Sequence, residues 1–269
     1  MDLQDALAAN RALCVEALGE RLGQQLTDLA RPGFELRPAT AGRPATGMCR
    51  LGGPALLEPG MGWPEADGSP LSLFAVLDMD GLASWVGDQA PVQAGVLNFF
   101  YLDLPHNLQL DDPRICAVVP ADSMRAVEVA SPEPLVEFEV VRLHAWGGLS
   151  LPGPYTEYSP AVWERFEMDD ELQEEFEENS FRFMVKRFGK AWQNDPGRLS
   201  ADEQAFGWPL METHPLRARL EEGDRHLLTL SSNHGSWCFP NGGSLIFFMP
   251  ERALRDGDFS QVFTEPDAW

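Results

Sequence analysis

The sequence predicts an α+β fold whose antiparallel β-sheets come from an internally duplicated strand unit. Three observations predict it. A leucine stripe opens the chain, short apolar runs bounded by turn residues recur in both halves, and two motifs occur twice in the same order. We expect an N-terminal helix and connection over residues 1–46 and one compact domain over 47–269, with an acidic helical insert at about 159–192.

The first predicted element is an N-terminal helix. Leucines recur at three- and four-residue steps through residues 2–30, which predicts an amphipathic helix. The tripeptide at 31–33, Arg-Pro-Gly, ends this pattern. A connection rich in glycine, proline and arginine is expected from there to about residue 46.

Short apolar runs separated by turn residues predict the strands. They span 71–79, 96–104, 115–120 and 134–143 in the first half, and 226–232 and 244–250 in the second. A final turn is expected at 256–260. In the run 134–143, Val136, Phe138 and Val140 share one face and glutamates occupy the other, which is typical of an antiparallel strand with one wet face.

The central segment 159–192 has the pattern of a helix. Ser159 suits an N-cap and Pro160 suits the first helical position. Acids crowd residues 164–178 and bases follow them, an order that complements the helix dipole. The acidic block is either a docking surface for a basic partner or a solvated face.

Two motifs occur twice. "GWPEADGSPL" at 62–71 and "GWPLMETHPL" at 207–216 share Gly, Trp, Pro, Pro and Leu at the same places. The pattern G-x-L-x-F-F follows each copy, at 95–100 and 243–248. The shared order predicts an internal duplication, with pseudo-repeats at about 47–150 and 200–269.

The repeated tryptophans and prolines are interpreted as markers of the fold. They are Trp63, Pro64, Trp208 and Pro209. Each tryptophan would fill the edge of a core, and its indole N–H would need a hydrogen-bond acceptor there. Each proline would fix the extended entry to the next strand.

Charge and cysteine content restrict the partners and the compartment. A formal net charge of −22 repels phosphate backbones and anionic membranes, so neither nucleic acid nor membrane is expected as a partner. A basic protein or peptide would be attracted. The four cysteines form no CxxC motif, and the sequence starts without a secretory signal. These features predict a reduced, cytoplasmic protein.

Common catalytic motifs are absent from the sequence. It contains no P-loop, no GxGxxG and no G-x-S-x-G, and its five histidines form neither HxH nor HxxxH. Neither a cofactor nor a metal is therefore expected.

Two loops carry the candidate ligand contacts. They follow strand candidates at 78–95 and 231–243, and each contains the dipeptide Ser-Trp. Such loops suit ligand contact, and a junction between duplicated halves is a common ligand location. The candidate ligand-binding residues are Asp78, Asp80, Trp85, His234, Trp237 and Asn241. Cys238 near His234 is either a nucleophile beside a base or a buried structural thiol.

The segments 50–82, 94–103 and 226–262 resemble the YwqG-like family of bacterial proteins. The family pattern of GGxP, LPxGxxWP, G-x-PL-x-F and G-x-L-x-FF is matched by Gly52, Gly53, Pro54, Pro59, Gly60, Trp63, Pro64, Gly68, Pro70, Leu71, Phe74 and Asp78. The resemblance covers about half of the chain. Val76 stands where the family has Gln, and Phe239-Pro240-Asn241-Gly242-Gly243 stands where the family has WGD-x-G.

The resemblance implies a single α+β unit with antiparallel sheets and no settled activity. Some family members are associated with toxin or secretion systems, which implies an immunity or accessory factor. Together with the charge, this favours a non-catalytic module that binds a peptide or basic protein. The alternatives are an enzyme with Asp/His or Cys/His residues at the junction of the repeats, and a structural module without a ligand.

Overall fold

The computed structural model describes residues 2–86, 95–102, 115–151, 203–209, 223–232, 237, 239 and 242–267. The acidic helical insert predicted at 159–192 lies outside these residues. Within them the protein is a mixed α+β fold dominated by a large antiparallel sheet, as predicted. No helix of the described residues is long and apolar enough to cross a membrane.

The described helices are short. They are α1 (Leu3–Leu18), α2 (Glu20–Asp28), α3 (Met79–Val86) and α4 (Glu251–Asp256), with a 3-10 turn at Phe259–Gln261. The predicted N-terminal helix is thus two helices that meet at Gly19. Asp2 caps α1, because its Oδ1 accepts a hydrogen bond of 2.8 Å from the Asp5 amide.

The strands form one large sheet and two small ones. They are β1 (Arg31–Pro38), β2 (Arg50–Leu51), β3 (Ala55–Leu57), β4 (Glu65–Ala66), β5 (Ser69–Pro70), β6 (Ser72–Asp78), β7 (Val96–Tyr101), β8 (Cys116–Ala121), β9 (Val127–Val129), β10 (Val141–Ser150), β11 (Gln204–Phe206), β12 (Asp224–Ser231), β13 (Ser244–Pro250) and β14 (Phe263–Asp267). In the described part of the chain, ten strands form a sheet in the order β14-β13-β12-β11-β1-β10-β2-β6-β7-β8. The pairs β3-β9 and β4-β5 are separate, and the paired strands run antiparallel throughout.

The connection expected after the first helix is wrong over residues 31–38. These residues form β1, which lies in the middle of the large sheet between β10 and β11. Phe34 and Leu36 are buried in the core, while Arg37 is exposed. α2 ends at Asp28, so the Arg-Pro-Gly tripeptide is the start of β1 and not a turn after the helix. The alternation of apolar and charged residues that follows it is a strand pattern.

The strand predicted at 134–143 is displaced along the chain. β10 begins at Val141 and continues to Ser150, through Gly147 and Gly148. Val136 and Val140, expected on a buried face, are 81% and 45% exposed. The alternation in this run is therefore not the signature of a half-buried strand.

The large sheet curls until its two edges meet. β8 contacts β14, and the Cys116 thiol donates to the carbonyl of Val262 over 3.6 Å. Phe99 of β7 and Phe247 of β13 meet inside, with ring centroids 5.3 Å apart. Each fully buried phenylalanine stabilises the fold by roughly 1.5–3 kcal/mol, so this shared core holds the two halves together.

Two hairpins in the sheet have the same register. Phe99 and Phe100 of β7 lie opposite a bulge between Leu73 and Ala75 of β6. The equivalent pair in β13, Phe247 and Phe248, lies opposite a bulge between His226 and Leu228 of β12. The internal duplication stays a prediction, and this shared bulge supports it.

Candidate functional site

Asp78 lies at the junction of β6 and α3, where its carboxylate joins three parts of the chain. Oδ1 accepts a hydrogen bond of 3.0 Å from the Gly81 amide, which caps the helix. Oδ2 accepts a bond of 2.8 Å from the Met48 amide. The Asp78 amide itself donates to the Cys49 sulfur over 3.3 Å. Both carboxylate oxygens of this buried side chain are therefore engaged within the protein.

Asp80 faces solvent and links α3 to Gly95, just before β7, and to Ser123, just after β8. Its Oδ1 accepts from the Gly95 amide over 3.2 Å, and its Oδ2 accepts from the Ser123 hydroxyl. Asp78 and Asp80 thus bind different neighbours. Among the residues that the structure describes, no three His, Cys, Asp or Glu side chains are grouped to hold a metal ion.

Trp85, near the end of α3, packs flat against β10. A Cβ added at Gly147 would lie 2.4 Å from the indole ring, so glycine is required for this approach. The indole is half-buried against the main core. Its Nε1 is shielded from solvent and has no hydrogen-bond partner among the described residues.

Trp237 is part of the same core. It is 5% exposed, and its indole N–H donates to the Ser231 carbonyl over 3.0 Å. Its ring centroid lies 5.0 Å from that of Phe74 and 5.1 Å from that of Phe138. The structure thus brings the two Ser-Trp loops to one core, but Trp237 fills that core instead of lining an open groove. His234, Cys238 and Asn241 lie outside the described residues.

The repeated tryptophans occupy matching places. The Trp63 indole donates to the Leu71 carbonyl over 2.8 Å, and its ring meets Phe100 edge-on at 5.1 Å. The Trp208 indole donates to the Leu29 carbonyl over 2.6 Å and shares a cluster with Phe248. Pro64 is half-buried and Pro209 is buried. Both tryptophans therefore sit in packed, hydrogen-bonded environments.

The Cys49 and Cys116 thiols and the His226 imidazole are buried and uncharged. Burial raises the pKa of Cys49 to about 12, although the hydrogen bond from the Asp78 amide acts in the opposite direction, and burial raises the pKa of Cys116 to about 12. His226 is fully buried, and burial lowers its pKa to about 3. Its Nδ1 donates to the Phe206 carbonyl, and its Nε2 accepts from the Thr229 hydroxyl, each over 2.9 Å. A thiol with a raised pKa is a poor nucleophile, so these groups serve the fold.

A surface that the sequence did not single out lies at residues 122–140, which we call the acidic surface. The exposed large hydrophobic side chains within it are Met124, Val127, Val136 and Val140, whereas Met61 and Trp146 are those elsewhere in the described chain. Its exposed acids are Asp122, Glu128, Glu133, Glu137 and Glu139. Its one base, Arg125, pairs with Glu58 at 2.7 Å.

Arg50 lies beneath the acidic surface. The residue is 4% exposed, and its guanidinium donates to the carbonyl of Pro54 and, over 3.5 Å, to that of Met48. Burial lowers its pKa, while the charges of Glu128 and Glu137 act in the opposite direction. Two acids of this surface therefore lie near one buried cation.

A family model described as "Domain of unknown function (DUF1963)" matches residues 49–267, which is most of the chain. No curated protein matches the chain.

Proposed function

We propose the following function for this chain, which belongs to the DUF1963 family: it is a non-catalytic binding module that recognises a peptide or basic protein through the acidic surface, residues 122–140. The observation that carries the proposal is the mixture of exposed apolar side chains and exposed acids there. Apolar area would supply affinity, and charge complementarity would select the partner and steer its approach.

The charges of the acidic surface are available to a partner. No described cation pairs with Glu133, Glu137 or Glu139. The overall charge of −22 adds a long-range attraction for basic molecules. A basic partner would therefore gain contacts without displacing a salt bridge of the free protein at these three positions.

Binding is favoured over catalysis by the state of the reactive groups. Cys49, Cys116 and His226 are buried and neutral, and the oxygens of Asp78 and Asp80 accept bonds from the protein itself. The finer parts of the proposal are a cytoplasmic location and a YwqG-like immunity or accessory role. The cysteines Cys14, Cys49 and Cys116 are buried core residues, which supports a reducing compartment.

The test is a fluorescence-anisotropy titration with a labelled heptapeptide of alternating lysine and valine. The triple variant Glu128→Gln/Glu137→Gln/Glu139→Gln should weaken its binding about tenfold, because each exposed ion pair contributes roughly 0.2–1 kcal/mol. The matched control neutralises three exposed acids elsewhere, Glu16→Gln/Glu65→Gln/Asp256→Asn. Equal losses in both triples would show that net charge, and not this surface, binds the peptide.

A further inference from the structure

Residues 136–140 lead directly into β10 and lie beyond the end of its neighbour β1. β1 ends at Pro38, which pairs with Leu143, and the Ala39 amide donates to the Arg142 carbonyl over 2.8 Å. Past that bond, no described strand follows the β1 side of the segment. The backbone of 136–140 therefore has no strand on that side among the described residues, and we call this segment the open edge.

The other side of the segment is fixed. The Gly53 amide donates to the Phe138 carbonyl over 2.9 Å, and a Cβ on Gly52 would lie 2.5 Å from the Glu139 carbonyl oxygen. Both glycines have positive φ, of 59° and 75°, so side chains there would be strained as well as crowded. The Phe138 ring is anchored 4.9 Å from Phe74. The edge is thus held in place before any partner arrives.

The backbone of this edge has free hydrogen-bonding groups. No turn or bend interrupts the chain from Leu135 to Val140. Within the described residues, Val136, Glu137 and Glu139 form no backbone hydrogen bond. Exposed, unpaired backbone along a fixed edge is a template for another strand.

We infer that the partner binds by β-strand addition along residues 136–140, as an extended peptide that alternates apolar and basic residues. This inference rests on the proposed function. Main-chain bonds to the free groups would give affinity, as in other proteins that accept an added strand. Val136 and Val140 offer apolar contacts, and Glu137 and Glu139 offer charge-paired contacts, to a strand of that pattern.

The same charges disfavour a second copy of this chain as the occupant. Two such edges pairing with each other would bring Glu137 and Glu139 of one copy close to the same residues of the other. Like charges across a strand pair are destabilising. Charged residues on an edge strand are a common protection against self-association. The charges of this edge therefore disfavour pairing with a second copy of the chain and favour pairing with a basic strand.

The test compares two forms of the lysine–valine heptapeptide on the full chain, one unmodified and one with alternate backbone amides N-methylated. Methylation removes donors but keeps charge and side chains. The methylated peptide should bind about tenfold more weakly, the loss expected for two or three hydrogen bonds. Hydrogen exchange at Val136, Glu137 and Glu139 should slow about tenfold with the unmodified peptide and stay unchanged with the methylated one.

The outcomes separate the inference from the proposed function. Equal binding of both peptides, sensitive to the triple glutamate variant but without slowed exchange at 136–140, would overturn strand addition and leave charge-based binding standing. No binding of either peptide would overturn both. If backbone amides at 136–140 already exchange slowly in the absence of peptide, and sedimentation shows a dimer, the edge would be assigned to a second copy of the chain.

Discussion

His226 is fully buried and neutral in the folded chain, and its ring bridges β11 and β12 through the Phe206 carbonyl. Its folded pKa of about 3 lies well below the ordinary value of 6.5. Between these values the unfolded chain binds a proton that the folded chain does not. The stabilising contribution is therefore complete above pH 6.5 and is lost as the pH falls toward 3.

Replacing His226 with glutamine should flatten the pH dependence of stability. The wild type should lose about 1.4 kcal/mol of unfolding free energy for each pH unit below 6.5 through this group alone. Urea unfolding of both proteins from pH 7 to pH 4.5 gives the difference curve, in which the shared carboxylates cancel. A constant difference across that range would contradict a neutral buried histidine. His144→Gln, the same substitution at a half-buried position of β10, is the matched control.

The two repeated tryptophans should differ in cost when changed to phenylalanine. Trp208→Phe leaves the Leu29 carbonyl without its donor and replaces the indole beneath the Arg31 guanidinium, which lies 3.4 Å from the ring centroid, with a smaller and weaker cation–π partner. We expect a loss of about 2–4 kcal/mol. Trp63→Phe should cost about 1–2 kcal/mol, because Trp63 is half-buried while Trp208 is 4% exposed. Urea unfolding measures both, and the reverse order would show that burial does not set these costs.

At the scale of elements, some strands are predictable because local pattern and tertiary pairing agree. The run 244–250 coincides with β13, and 71–79 contains β6. The sequence does not predict β1, because the prolines near both of its ends and the Arg-Pro-Gly tripeptide are typical of a connection. The run 134–143 alternates, but only residues 141–143 of it lie in β10, because strand pairing is a property of the whole fold and no described strand pairs with 136–140 on the β1 side.

The packing of α3 on β10 depends on one glycine. Gly147→Ala should displace the Trp85 indole and destabilise the protein by about 1–3 kcal/mol, since the new Cβ would lie 2.4 Å from the ring. In the Trp85→Ala background the same change should cost almost nothing. A double-mutant cycle from urea unfolding gives this coupling. Additive losses would contradict the contact. Gly42→Ala is the matched control, because nothing lies within 4 Å of a Cβ there.

At the scale of the whole molecule, net charge can be read from the sequence, whereas the surface on which it acts cannot. Net charge is additive along a chain, so the expectation of a basic partner comes from composition alone and stays a prediction. The exposure of a side chain, in contrast, depends on tertiary packing and does not follow from composition. Trp237 reads as a loop residue but fills the core, whereas Val136 reads as a core residue but lies on the surface. The acidic surface therefore forms only in the folded chain. The alternation of valines and glutamates that predicts a strand at 134–143 is the part of the sequence that contributes to it.

The central place of β1 has a consequence for the boundaries of the family. The matched region, 49–267, begins after this strand. A fragment of 49–267 would lack the strand between β10 and β11, and the sheet would divide into two parts with exposed edges.

We expect this fragment to lose the near-ultraviolet circular dichroism of the full chain, and a synthetic peptide of residues 29–40 to restore it by complementation. A fragment that keeps the full signal alone would show that β1 is dispensable. Otherwise the region of this chain that matches the family is smaller than the unit that folds.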